Sequence, residues 1–229
     1  MNRMFPFITK TWNPLGGECL HHCSYCWAQK LAKEKRMRKY QGEPKLTESL
    51  VKWFKSDDFV FVCDMLDLFG PWVSTEDIGL VLGRIVESPA KFLFLTKNPA
   101  RYTEFLSTLQ KINGVLGVTL ETNRETEQVS KALNPAERWL DFKDLEYSPK
   151  FVAIEPIMDF DLESFSDELF NITNLESVAI GYDNYGNRLS EPPLEKTMQL
   201  IDRLEKAGIT VYRKTLRERW NAVERGCSS

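Results

Sequence analysis

Phe59-Val60-Phe61-Val62-Cys63-Asp64 is the stretch from which the fold can be read. Five apolar residues run without interruption and then stop at an acid. Strict alternation would mark a strand with one wet face. An unbroken apolar run marks a strand covered on both faces, as in a parallel sheet. The pattern recurs downstream. Lys91-Phe92-Leu93-Phe94-Leu95 stops at Thr96-Lys97, and residues 115–120 stop at Glu121-Thr122-Asn123. Phe151-Val152-Ala153-Ile154 stops at Glu155-Pro156, and Ser177-Val178-Ala179-Ile180 at Gly181-Tyr182-Asp183-Asn184.

Helical patterns lie between these runs. Ser74, with Asp77 three residues on, caps a helix whose Ile78, Val81, Leu82 and Ile85 share one face. Asn98-Pro99 reads as an N-cap and first turn, with Tyr102, Phe105, Leu106 and Leu109 inward. A polar helix follows Asn123, and a short one covers 135–145. Another runs from Pro192-Pro193 to Ala207 and stops at Gly208. On the N-terminal side, 5–11 is a strand, 26 to about 40 a helix ended by Gly42 and Pro44, and 47–55 a second helix. Residues 209–213 form a last strand and 216–224 a last helix. Seven strands alternating with helices predict one α/β domain over residues 1–229, its parallel sheet curled into a partial (βα)6–7 TIM-like barrel.

Composition sets the outer bounds. The 229 residues are 42% hydrophobic and 28% charged with a net charge of −3, which fits a globular protein rather than a nucleic-acid coat. No apolar run of about 18 residues exists, so no transmembrane helix is expected. Met1-Asn2-Arg3-Met4-Phe5-Pro6 has no apolar signal core. Three of the five cysteines are clustered and two are isolated, which is no disulfide framework and suits a reducing cytoplasm.

The clustered cysteines follow the first strand, in Trp12-Asn13-Pro14-Leu15-Gly16-Gly17-Glu18-Cys19-Leu20-His21-His22-Cys23-Ser24-Tyr25-Cys26. Their spacing is C-x3-C-x2-C. Thiolates are soft ligands for iron–sulfur clusters or zinc. Three of them cap three irons of a 4Fe–4S cube and leave one iron open, whereas structural zinc takes four ligands. Zinc, with Cys63, His21 or His22 as fourth ligand, is the rival reading; the two histidines otherwise read as loop surface. C-x3-C-x2-C with Tyr25 before the last cysteine resembles the signature of radical S-adenosylmethionine (radical SAM) enzymes. The resemblance implies a radical SAM partial barrel and a 4Fe–4S cluster on Cys19, Cys23 and Cys26, with SAM chelated to the open iron. It implies reductive cleavage of SAM to a 5′-deoxyadenosyl radical that takes hydrogen from a substrate, and an electron donor of flavodoxin or ferredoxin type.

In βα barrels the chemistry sits at the C-terminal strand ends. Those ends supply Asp64, Asp67, Thr96, Lys97, Thr119, Glu121 and Glu155. With Tyr25 they form the expected cofactor-binding set. The family usually carries Gly-Gly-Glu after its second strand; this chain has Cys63-Asp64-Met65-Leu66-Asp67, so Asp64 or Asp67 would stand in. By the resemblance, Thr119 and Glu121 face the SAM ribose or carboxylate and Glu155 the adenine or methionine; Lys97, which no motif of the family marks, would pair with the SAM carboxylate. Thr11-Trp12-Asn13-Pro14, Asp67-Leu68-Phe69, Leu95-Thr96-Lys97-Asn98-Pro99, Gly117-Val118-Thr119-Leu120-Glu121 and Glu155-Pro156 together resemble a phage-associated radical SAM family of uncharacterised function.

The substrate is open between nucleic acid, peptide and small molecule. A large substrate is expected from a barrel that stops short of closure. Lys30, Lys33, Lys35, Arg36, Arg38 and Lys39 after the cluster, and Arg213, Lys214, Arg217 and Arg219 near the end, would suit phosphates. Cys63 reads as a buried strand-end thiol, and Cys227 as part of a frayed tail.

Overall fold

The computed structural model describes residues 4–125 and 129–220, with only the backbone of Lys35 and Arg36. In chain order the elements are β1 (Lys10–Trp12), β2 (Leu15–Gly16), α1 (Trp27–Ala32), β3 (Lys45–Leu46), β4 (Phe59–Val62), α2 (Thr75–Ile85), β5 (Lys91–Thr96) and α3 (Leu106–Leu109). Then follow β6 (Gly114–Thr119), α4 (Pro135–Lys143), β7 (Lys150–Ile154), α5 (Leu162–Phe170), β8 (Leu175–Ile180), α6 (Leu194–Lys206) and β9 (Thr210–Arg213). Seven strands form one parallel sheet in the order β1-β4-β5-β6-β7-β8-β9; β2 and β3 make a separate antiparallel pair.

Neighbours in the sheet are neighbours in sequence order, so every crossover winds the same way and the helices share one face. Val60, Val62, Phe92, Phe94, Leu116, Val118, Val152, Ile154, Val178 and Ile180 point to that face. They meet Ile78, Val81, Leu82 and Ile85 of α2, Phe142 of α4, Phe165 and Leu169 of α5, and Leu200, Ile201 and Leu204 of α6. Each such aliphatic or aromatic burial contributes about 1.5–3 kcal/mol. The other face carries Phe61, Leu93, Val115, Phe151, Ala153 and Ala179, covered by Phe5 and Ile8 from ahead of β1. The Phe7 ring touches Phe59 on β4 at 5.1 Å and Tyr212 on β9 at 4.6 Å, and Lys214 Nζ lies 4.7 Å from the Phe5 ring centre. The segment before β1 therefore bridges from β4 to the far edge strand.

Several expectations are corrected. The first strand is shorter and later than 5–11, because residues 5–8 turn across the sheet instead of extending it. The helix expected over 26–40 is split into α1 and a 3-10 segment, Lys35–Tyr40, broken at Met37. Residues 47–55 hold only one 3-10 turn, Glu48–Leu50, and the segment is tied to β1: Trp12 Nε1 donates to Ser49 O at 2.6 Å and Lys52 Nζ to Thr11 O at 3.2 Å. Asn98 precedes a helical turn that begins at Pro99, but its side chain does not cap it. Its amide donates to Phe69 O at 2.8 Å, and Pro99–Phe105 is 3-10. Helix α5 was not expected. The polar helix expected after Asn123 and the last helix expected over 216–224 are not formed where the chain is described, since residues 124–125, 129–134 and 216–219 are not helical; residues 126–128 and 221–229, with Cys227, lie outside the described residues. Among the described residues no helix is long and apolar enough to cross a membrane.

Candidate functional site

The cysteine loop leaves β1 at the C-terminal end of the sheet. Its start is pinned by two glycines that no other residue could replace. A Cβ on Gly16 would stand 2.4 Å from Lys39 O, and one on Gly17, at φ +91°, 2.4 Å from Glu43 O. Its end is the start of α1. Cys26 is the N-cap, its Sγ accepting from Gln29 N at 3.4 Å, while Gln29 Nε2 donates to Cys19 O at 2.9 Å. Its middle is stitched to the loop before α4: Ser24 N donates to Val129 O at 2.8 Å, and Lys131 N to His21 O at 2.7 Å. Cys23 is buried, with Sγ 3.2 Å from Ser130 Oγ; Cys19 and Cys26 are partly exposed.

The three sulfurs lie within one another's electrostatic reach. Burial, with the charge of Asp67 added, pushes the Cys19 thiol up to about 12. Burial also raises Cys26, with Cys23 adding. Such thiols hold their protons until a metal displaces them. Among the described residues, no three His, Cys, Asp or Glu side chains gather tightly enough for one ion. A four-iron cube asks for something different, one thiolate on each of three irons, and three soft donors on one short loop fit it. Of the fourth ligands considered for zinc, Cys63 sits beside the Leu15 backbone, Asp64, Asp67 and Lys39 at φ +59°, and His21 is engaged elsewhere.

His21 is not loop surface as expected. It is 4% exposed, its Nε2 lies 2.8 Å from Asp67 Oδ2, and its ring meets Trp72 edge-on at 4.6 Å. Asp67 in turn gathers Thr96 Oγ1 at 2.9 Å, Lys97 N at 2.8 Å and Phe69 N at 3.0 Å. Burial alone would raise the Asp67 carboxyl; His21, Lys97 N and Thr96 outweigh it and hold it below the ordinary value. Asp67 thus ties the cysteine loop to the end of β5.

A second carboxylate does the same from β6. Glu121 Oε1 accepts from Tyr25 and from Lys97, whose Nζ also donates to Tyr25 Oη at 2.8 Å. Glu121 Oε2 accepts from Arg138 Nη2 on α4 at 2.8 Å; Arg138 also donates to Thr119 O and, at 2.9 Å, to Leu133 O. Burial opposes the Glu121 charge, yet Arg138, Lys97 and the hydrogen bonds hold it well below the carboxylate range. Burial, then Glu121, raises Tyr25.

Asp64 and Glu155 sit apart from this knot, and Thr119 meets it only through its backbone oxygen. Asp64 accepts from Asn13 Nδ2 at 2.5 Å, and burial raises it. Glu155 pairs with Lys214, Oε2 to Nζ 2.5 Å; burial still leaves it above the ordinary value. Thr119 is buried at the end of β6. Two residues were missed. Arg138 reads in sequence as an ordinary helix cation, and Ser130 as loop; neither has a local signal, because their partners are 17 and 107 positions away.

Five residues of the basic stretches have defined partners. Lys30 donates to Asn187 Oδ1 at 2.5 Å, and Lys39 to Asn13 O at 2.5 Å and Ser49 Oγ at 2.9 Å. Arg213 pairs with Glu205, Lys214 with Glu155, and Arg217 with Glu191. The expected continuous basic helix and basic C-terminal cluster are therefore corrected. Lys33 and Arg38 remain exposed.

Residues 3–214 match the family described as "Protein of unknown function (DUF5131)", and the chain belongs to it. No curated protein matches the sequence. Among solved structures, a variant of spore photoproduct lyase with bound AdoMet and dinucleoside spore photoproduct is similar over 86% of this chain and 61% of its own, at 12% identity and a TM-score of 0.55. A second variant of that lyase is similar over 87% of this chain and 75% of its own, at 11% identity and a TM-score of 0.58. This chain thus spans about three-fifths to three-quarters of the proteins it resembles. At such identity the likeness is one of fold.

Proposed function

We propose that this member of the family is a radical SAM enzyme of the phage-associated kind. Cys19, Cys23 and Cys26 would hold a 4Fe–4S cluster, and SAM would lie along the strand ends. The observation that carries the reading is the joining of the three-cysteine loop to the ends of β5 and β6 through Tyr25, Lys97 and Glu121. A fold shared with a lyase whose structure contains AdoMet supports it. When bound, the cluster supplies one electron to SAM and so gives access to a 5′-deoxyadenosyl radical. We read the sheet as a partial barrel, since Phe7 touches both β4 and β9.

The chain's own residues take separable parts. Lys97 and Arg138 set two cations against the single carboxylate of Glu121, which leaves one positive charge to meet the SAM carboxylate. Asp67, spent on His21, Thr96 and Lys97 N, orients the rim rather than the ligand. Glu155, with Lys214, stands at the end of β7, the strand next to β6, for the adenosyl end. A flavodoxin- or ferredoxin-like donor and a large substrate complete the reading. Arg213, Lys214 and Arg217 are ion-paired while Lys33 and Arg38 are exposed, so charge alone does not choose among nucleic acid, peptide and small molecule. A salt series on DNA and RNA tests that point.

The test of the cluster is anaerobic reconstitution with iron and sulfide. The wild type should bind four irons and turn brown. Cys19→Ala, Cys23→Ala and Cys26→Ala should each lose the cluster, and Cys63→Ala should keep it. A colourless protein that retains stoichiometric zinc would favour the zinc reading instead.

A further inference from the structure

Ser130 lies on a segment that no motif marks, yet the chain aims its hydroxyl at one particular sulfur. Ser130 Oγ is 3.2 Å from Cys23 Sγ, the most buried of the three clustered cysteine sulfurs. Its position is held from both sides. Val129 accepts from Ser24 N at 2.8 Å and Lys131 N donates to His21 O at 2.7 Å, so the residues flanking Ser130 are bonded to the chain on both sides of Cys23.

The hydroxyl has one proton and two lone pairs. Ala132 N donates to its oxygen at 3.0 Å. Its proton has two acceptors in reach, Cys23 Sγ at 3.2 Å and His21 O at 3.3 Å. His21 O already accepts from Lys131 N. A metal-bound thiolate carries negative charge and can only accept, and charge-assisted bonds are roughly twice as strong as neutral ones. With Cys23 bound to iron, the proton goes to sulfur.

We infer that Ser130 is a positioning residue for the cluster: it donates a hydrogen bond to the Cys23 thiolate and thereby raises the cluster's reduction potential. The inference rests on the functional reading above and adds to it the control of electron entry. Hydrogen bonds to cluster sulfurs stabilise the reduced, more negative state, and they are among the main determinants of cluster potential.

The experiment compares Ser130→Thr with Ser130→Val, near-isosteres that differ by the hydroxyl, and adds Ser130→Ala. Each protein is reconstituted anaerobically, its iron counted, and its potential read by EPR-monitored redox titration. The hydroxyl-free variants should shift to a more negative potential at full iron content, and Ser130→Thr should stay near the wild type. Loading of the Thr variant but not of the Val and Ala variants would also support the inference, since only the hydroxyl distinguishes Thr from Val. Equal potentials across loaded variants, or failure of all three to load, would overturn it and leave Ser130 as a loop-packing residue. A wild-type protein without a cluster would sink the functional reading itself, and that is visible before any variant is made.

Discussion

Arg138 Nη2 stands 2.8 Å from Glu121 Oε2, and both side chains are about 98% shielded from solvent. This pair anchors the rim to the helical layer, because the other oxygen of Glu121 holds Tyr25 of the cysteine loop and Lys97 after β5. Breaking a buried pair by removing one partner costs about 3–5 kcal/mol. Arg138→Met should fall near the low end, about 3 kcal/mol, because Lys97 still faces the carboxylate. The double variant Arg138→Met/Glu121→Gln should cost less than the sum of the singles in urea denaturation. Additive costs would show that the two residues are not coupled.

Acid stability should depend on the same carboxylates. Glu121 and Asp67 titrate lower in the folded chain than in the unfolded one, where they take ordinary values of about 4. The unfolded state therefore binds protons first as pH falls, and the stabilisation present above about pH 4.5 is lost progressively below it. Glu121→Gln should flatten the loss of stability between about pH 5 and 2, measured as urea midpoints. An unchanged acid limb would mean that Glu121 is not held low.

Glycines separate packing from propensity. A Cβ on Gly181 would stand 2.9 Å from Lys214 Cβ and 3.4 Å from Glu155 Oε1. Gly181→Ala should cost about 1–3 kcal/mol by overpacking. Gly79 and Gly83 lie in α2 with open space around a Cβ, so Gly79→Ala and Gly83→Ala should each stabilise by about 0.5–1 kcal/mol. Thermal melts of the three variants check the signs, and stabilisation by Gly181→Ala would contradict the crowding.

The strand system was legible because buried parallel strands are apolar to their last residue. Phe59–Val62, Lys91–Thr96 and Lys150–Ile154 all announce themselves this way. The three cysteines were legible from their spacing, Tyr25 from its place before the last of them, and Lys97 and Glu121 because each follows such a run. What stayed hidden was set by tertiary partners. Residues 47–55 carry a helical pattern, but hydrogen bonds from Trp12 to Ser49 O and from Lys52 to Thr11 O hold the segment beside β1, overriding propensity. His21 looks like a loop residue until Asp67, 46 positions on, comes beside it. The basic residues after Cys26 read as one helix face, but the break at Met37 divides them.

Glu155 tests the placement of SAM more cleanly than Lys97 or Glu121, whose loss would also loosen the joint that holds Tyr25. Lys97→Met and Glu155→Gln should each weaken SAM binding by about 1.5–3 kcal/mol, the worth of one hydrogen bond to a charged group. Iron content should be unchanged. Calorimetry at wild-type affinity in both variants would make these side chains structural.

The central claim is tested most directly by incubating the anaerobically reconstituted protein with SAM and dithionite and quantifying 5′-deoxyadenosine. The wild type should form it in a reductant-dependent manner, and Cys19→Ala, Cys23→Ala and Cys26→Ala should form none. No 5′-deoxyadenosine from wild-type protein carrying its full four irons would contradict the account.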